Sequence, residues 1–250
     1  TRGLKAYPSE ADLQSSIPLI GGMPDRQPGI RPWNRFPVFN AHARNKLSMT
    51  LEVLQANGRE VLERLIRISD VFIENNATST MEKLGISYEM LCQHRPDIIM
   101  LRMPAYGNDG PYASYRALGN HIEGVIGHSM VRGYSDMDPS AVTPVFVADA
   151  AAGTQGAFAV LSALNYRVRT GKGQLIELPL AEGTLPFLGH YFMDYSMNGR
   201  NAKASGNRHP YAIQGCYPCQ GEDRWVCITL FDGDDWEAFR DVIGNPAWSR

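Results

Sequence analysis

Val145-Phe146-Val147-Ala148-Asp149-Ala150-Ala151-Ala152-Gly153 is an apolar run that ends in a single carboxylate and continues into small residues. The β-branched start predicts a strand. The spacing of Phe158, Val160, Leu161 and Leu164 beyond it predicts a helix running to about Arg169. A strand that turns into a helix at Asp149 would place an acid at a helix N-terminus, where unpaired N–H groups and a partial positive charge favour the anion. The same residue also satisfies the simpler description of an N-cap, a position that Asp commonly occupies.

Upstream, Leu47-Ser48-Met49-Thr50-Leu51 alternates like a strand. Asn57-Gly58 opens a helix with apolar positions at Val61, Leu62, Leu65 and Ile66. A short strand is expected over Asp70–Asn75, helices around Thr80–Leu84 and Tyr88–His94, and a buried strand at Ile98–Met103. Leu118–Met130 reads as helix despite its glycines. Thr170-Gly171-Lys172-Gly173 stops the Asp149 helix, Gln174–Pro179 is a further strand, and Ala181–Met197 one long helix. Strands alternating with helices through short connections argue for an α/β fold with a parallel sheet. Functional residues of such sheets sit beyond the carboxyl ends of the strands, which points to Asn75, Pro104-Ala105-Tyr106 and Asp149. Past Gly206-Asn207-Arg208-His209-Pro210 the texture changes to a strand at Trp225–Leu230 and a capped helix over Asp234–Ile243. This sets a domain boundary near residue 204, with 1–204 a large domain and 205–250 the start of a smaller α+β domain.

Residues 1–38 read as a Pro- and Gly-rich surface segment. A chain of 250 residues with a net charge of −2 carries no bulk signature of nucleic-acid or membrane-surface binding. No apolar run approaches a bilayer span and no signal peptide is read. The four cysteines are too few for a disulfide scaffold, so the expected location is cytoplasmic. The missing Met at position 1 and the stop after a helix give the chain the look of an excerpt, truncated at both ends.

Several motifs are set aside. Thr170-Gly171-Lys172-Gly173 follows a helix and lacks the leading glycine of a phosphate loop. Cys216-Tyr217-Pro218-Cys219 has C-x-x-C spacing without a second pair, so neither zinc nor redox work is assigned to it, and no metal site is expected. His190, among Phe187, Leu188, Tyr191 and Phe192, reads as a core histidine, and His121 and His128 as structural residues of a Gly-rich helix.

Five features, in order, resemble the class III CoA-transferases, the CaiB/BaiF family that includes formyl-CoA and carnitine CoA-transferases and α-methylacyl-CoA racemase. They are Arg44-Asn45-Lys46-x-Ser48; Ile73-Glu74-Asn75 followed by Met81-Glu82-Lys83-Leu84-Gly85; Tyr106-Gly107-x-x-Gly110-Pro111-Tyr112; Val147-Ala148-Asp149-x-x-x-Gly153; and Arg169-Thr170-Gly171-Lys172-Gly173-Gln174. The likeness is in register over residues 39–183 and looser to residue 250. It implies a Rossmann-like large domain and an interlocked homodimer, with a first strand and a returning C-terminus beyond the ends of this chain.

The resemblance further implies that Asp149 is a nucleophile. It would form an acyl-aspartyl anhydride and then an aspartyl-CoA thioester while coenzyme A moves between two carboxylic acids. By the same match Asn75 and Asn76 fall where the family contacts the CoA adenine region, the second standing where the family usually has an aromatic residue. Lys83 falls where a basic residue meets the CoA phosphates. His121 lies where transferases often carry an acid, and next to the position of the racemase histidine. Two alternatives stay open: a racemase-type α-proton exchange with Asp149 and His121 as acid and base, and an inactive fragment acting only by association.

Overall fold

The computed structural model describes residues 30–249 apart from positions 36 and 144. The chain divides into two compact units, Thr1–Val61 and Leu62–Arg250. In the first, the segment expected to be irregular forms two short helices where it is described, α1 (Pro32–Arg35) and α2 (Pro37–Ala43); residues 1–29 lie outside the described residues. Proline fits the first helical turn, where its missing N–H has no intrahelical acceptor to lose. Leu47–Leu51 is not a strand. It pairs with no strand among the described residues, and Leu47 is fully exposed. Alternation alone does not make a ladder without a neighbouring chain.

Helix α3 (Ala56–Ile68) contains the division between the units, and its expected stripe buries Leu62 and Ile66. The second unit is built on a three-stranded parallel sheet in the order β1 (Val71–Glu74), β2 (Ile99–Arg102), β3 (Gln174–Glu177). Parallel neighbours need crossovers. The first contains α4 (Thr78–Lys83) and α5 (Tyr88–His94), the latter capped by the Ser87 hydroxyl, which accepts from the Met90 N–H at 3.2 Å. The second contains α6 (Gly119–Val125), α7 (His128–Val131) and α8 (Val147–Thr170). The central strand reads Ile-Met-Leu-Arg, and its first three residues, like Ile98 before them, are 0–2% exposed, as a strand covered on both faces requires.

One strand and two helix expectations are corrected. The strand placed at Val145–Ala148 is absent: Phe146 takes the left-handed conformation and α8 begins at Val147. The helix expected over Leu118–Met130 is broken at Gly127, whose φ of 85° starts a separate turn of helix. The helix over Ala181–Met197 becomes α9 (Leu180–Thr184), a 3-10 turn (Leu185–Leu188) and α10 (Gly189–Asn198), because Pro186 supplies no N–H to continue the α-helical ladder. His190 in α10 is exposed, its ring centroid 3.8 Å from that of Tyr191, and is not a core residue.

Helix α8 organises this unit. Its 24 residues are long and apolar enough, by length and composition alone, to cross a membrane, which corrects the reading that no run approaches that length. Here it packs on β2, β3, α6 and α9. Its packed face is made of small residues: Ala148, Ala152, Gly156 and Ala163 are buried, with Gly156 facing Leu101 of β2. Gly171, in the left-handed conformation, ends it where the sequence predicts, its N–H donating to the Arg167 carbonyl at 2.7 Å. Arg167 then reaches across the sheet's amino edge, donating to the Asp70 carboxylate at 2.8 Å and to the carbonyls of Asp70 and Asp97 at 3.2 and 3.3 Å. Arg95, bound to Asp97 at 2.6 Å, holds that carboxyl below its ordinary range.

Beyond residue 204 an antiparallel hairpin of β4 (Ile213–Pro218) and β5 (Trp225–Leu230) forms its own sheet. It is followed by α11 (Gly233–Val242), whose cap is Asp232, accepting from the Asp235 N–H at 2.9 Å.

A Cβ at Gly156 would stand 3.0 Å from Leu101 Cδ2 and 3.2 Å from Met103 Sδ. Gly156→Val is therefore expected to destabilise the fold by about 1–3 kcal/mol through overpacking, read as a lowered urea midpoint at unchanged slope.

Candidate active site

The three strands deliver their following residues to one edge. After β1, the buried Glu74 accepts from Arg102 Nε at 2.9 Å and from the Asn76 N–H at 2.8 Å, which fixes the turn carrying Asn75 and Asn76. After β2 and β3 the pairing continues through loop backbone, with the Leu180 and Ala181 N–H groups donating to the Pro104 and Ala105 carbonyls at 2.9 and 3.0 Å. The N-terminal turn of α8 closes the same edge. Ala148 and Ala152 pack with Ile122 and Leu180 in a buried cluster, and Asp149 between them is exposed.

Asn75, Asn76, Thr78, Pro104, Arg116 and Asp149 share a cleft of about 370 Å³. Asp149 is the third residue of α8, so the helix dipole favours its ionised form, although no strand leads into it and it is not the cap. The cap position is held by Phe146 at φ 54°, which offers no side-chain acceptor to the helix. A bulky residue in that region costs about 1–3 kcal/mol. Glu123 of α6, 1% exposed, supplies the missing acceptor: its Oε1 takes the Val147 N–H at 2.7 Å. Gly119, one turn earlier on α6, provides the room. A Cβ there would lie 1.6 Å from Asp149 Oδ2, so the carboxylate rests directly over that glycine.

The structure thus brings Asp149, Asn75 and Asn76 together. His121 and Lys83 are not among the residues lining that cleft. His121, exposed in the first turn of α6, accepts the Leu118 N–H on Nδ1 at 3.0 Å; Lys83 is exposed in the last turn of α4. Arg116, Thr78 and Tyr115 line the cleft without having been singled out from the sequence, since no spacing marks them. The rings of Tyr106, Tyr112 and Tyr115 run in series beside it, with centroids 6.1 and 5.4 Å apart, and burial pushes the Tyr106 phenol up. Among the described residues, Asn120 Oδ1 is buried with no hydrogen-bond partner. Among the described residues no group of three His, Cys, Asp or Glu side chains is placed to hold a metal.

A three-stranded parallel sheet with an acid at its carboxyl edge defines an α/β protein of the Rossmann-like kind. The model of CoA-transferase family III matches residues 23–250, and the chain belongs to that family. It is 33% identical over 208 residues to an acetyl-CoA:oxalate CoA-transferase of Acetobacter aceti, covering 83% of this chain and 53% of the relative. It is 29% identical to a succinyl-CoA–D-citramalate CoA-transferase of Chloroflexus aurantiacus, covering 89% and 57%. The crystal structure of a CaiB/BaiF family protein from Brucella suis superposes with a TM-score of 0.72 at 30% identity, over 80% of this chain and 52% of that one. The chain therefore spans about half the length of the relatives it matches.

Gly119→Ala is expected to leave the fold intact and to drive the Asp149 carboxylate away from α6, because the added methyl takes the place of Oδ2. A crystal structure of the variant reads the displacement and thermal melting reads the fold.

Proposed function

We propose that the protein moves coenzyme A from an acyl-CoA donor to a carboxylic acid, with Asp149 as the covalent nucleophile. The observation that carries this reading is the exposed Asp149 carboxylate in a cleft shared with Asn75, Asn76 and Arg116, in a chain of CoA-transferase family III. An ionised carboxylate suits exchange between acids because the anhydride it forms is about as activated as a thioester, so neither step needs an external energy source. Asp149 attacks the donor carbonyl and the C–S bond breaks, leaving an acyl-aspartyl anhydride and a thiolate. The thiolate attacks the aspartyl carbonyl, expelling the donor acid and leaving an aspartyl thioester. The acceptor carboxylate reverses both steps and restores Asp149.

The donor set fits a nucleotide-bearing thioester. Asn75, Asn76 and Thr78 offer amides and a hydroxyl, and Arg116 offers a guanidinium suited to phosphate oxygens. Lys83, outside the cleft lining, is retained as a second contact for the outer phosphates of a ligand longer than the cleft. The acyl donor and acceptor classes suggested by the relatives are short acyl-CoA thioesters and small carboxylic acids. The position of His121 outside the cleft lining favours transfer over an Asp149–His121 proton exchange. A homodimer is the assembly that accompanies this reading, and a cytoplasmic setting supplies both substrates.

The test pairs acetyl-CoA or succinyl-CoA with oxalate, citramalate or malate in a full-length version of the protein, with hydroxylamine present to trap the acylated enzyme. Asp149→Ala is expected to lower turnover by at least about 1,000-fold and to abolish the hydroxamate at Asp149. Deuterium exchange at the donor α-carbon without an adduct, or wild-type turnover in Asp149→Ala, would overturn the proposal.

A further inference from the structure

Glu123 is a buried acid that the proposed reaction does not use. Its Oε1 accepts the Val147 N–H at 2.7 Å, while Oε2 lies 3.2 Å from His128 Nδ1 and 3.2 Å from Arg132 Nη1. Arg132 in turn donates to the Thr143 carbonyl at 2.7 Å, tying the loop before α8 to the same point. Val147 opens α8, and its N–H is one of the donors that a helix leaves without an internal acceptor. The usual remedy, a polar side chain at the cap, is absent because Phe146 stands there. The acceptor comes instead from the neighbouring helix.

On α6, Gly119 and Glu123 are four residues apart and so share a face. That face meets the first turn of α8 at two points: Glu123 takes the N–H of Val147, and Gly119 receives the carboxylate of Asp149 two residues later. We propose that Glu123 is a positioning residue, setting the point at which α8 begins and thereby the placement of the Asp149 carboxylate over Gly119. The inference rests on the reading of Asp149 as nucleophile.

Two variants of the full-length protein test it, with kcat and KM measured separately for succinyl-CoA as donor and folding followed by circular dichroism. Glu123→Ala removes the acceptor and is expected to lower kcat on the order of 100-fold, since small misplacements of a reacting group carry such losses. KM should stay within about threefold, because uniform binding is untouched. Glu123→Gln keeps an oxygen for the Val147 N–H and should restore kcat to within about tenfold of the parent. A folded Glu123→Ala protein with kcat within about twofold of the parent overturns the proposal. If Glu123→Ala does not fold, Glu123→Gln decides: retained kcat supports the role, and a loss of about 100-fold in the folded protein sinks it. Wild-type turnover in Asp149→Ala would strike the nucleophile itself, whereas loss in Asp149→Ala without loss in folded Glu123→Ala strikes only the positioning.

The β4–β5 hairpin holds a separate site. Cys216 and Cys227 are direct cross-strand partners. The Cys219 N–H donates to the Arg224 carbonyl at 2.7 Å, making that a hydrogen-bonded pair. Alternation along the ladder then leaves Cys216 and Cys227 in a non-hydrogen-bonded pair. Such pairs place their Cα atoms about 4.5 Å apart with side chains closest, within the range a disulfide spans. We infer that Cys216 and Cys227 close to a disulfide by exchange with a small-molecule disulfide. Cys227, the more exposed of the two, attacks first. Its thiolate forms a mixed disulfide and releases one small thiol; Cys216, after losing its proton, displaces the second. Two cysteine thiols are oxidised and one small disulfide is reduced to two thiols.

Incubation with oxidised glutathione followed by peptide mapping is expected to give a Cys216–Cys227 link that dithiothreitol reverses and that Cys227→Ser abolishes, with Cys219 still alkylatable. A Cys216–Cys219 link, or glutathione retained on Cys227 without closure, overturns the inference.

Discussion

The close seating of α8 on the central strand is the constraint on which the second unit depends. A helix packs closely only where its buried face carries almost no side chain, and the buried residues of α8 are Ala148, Ala152, Gly156 and Ala163. Gly156 faces Leu101 of β2, while Ala148 and Ala152 pack with Ile122 of α6 and Leu180 of α9. Close approach also removes slack. At one end Arg167 clamps the starts of β1 and β2 through Asp70 and Asp97, and at the other Glu123 takes the first N–H of the helix. A helix held at both ends and pressed flat between them has little freedom to shift along its axis.

That rigidity matters because Asp149 sits in the first turn, where helices ordinarily fray. Its neighbours Ala148 and Ala152 are in the core, and its carboxylate lies on the backbone of Gly119. The acid is thus exposed to the cleft yet confined in position. This combination suits a group proposed to be acylated and released repeatedly: access serves the substrate, and confinement limits the reorganisation needed at each attack.

Much of this was legible locally. The continuous apolar run at Ile98–Leu101 marks a strand covered on both faces and Gly171 marks a helix stop, because each rests on chemistry within a few residues. Asn75 was placed beyond the end of β1 from alternation of elements, and it lines one cleft with Asp149, whose expected strand is absent. The errors have a common origin in partners the sequence does not name. Val145-Phe146-Val147 has the composition of a strand, but Phe146 is left-handed and the Val147 N–H goes to a carboxylate from α6; Leu47–Leu51 alternates correctly and pairs with no strand among the described residues. Arg116 reaches the cleft through a loop with no periodicity to read.

The sequence by itself determined the class of fold and the family, since these follow from periodicity, from motifs of adjacent residues and from their order along the chain. Only the tertiary structure decided where α8 starts, why residue 119 is a glycine, and that Cys216 faces Cys227 and not its C-x-x-C neighbour. Each of these is a contact between residues distant in the chain or on opposite strands, and the energy that selects it exists only once packing has brought them together.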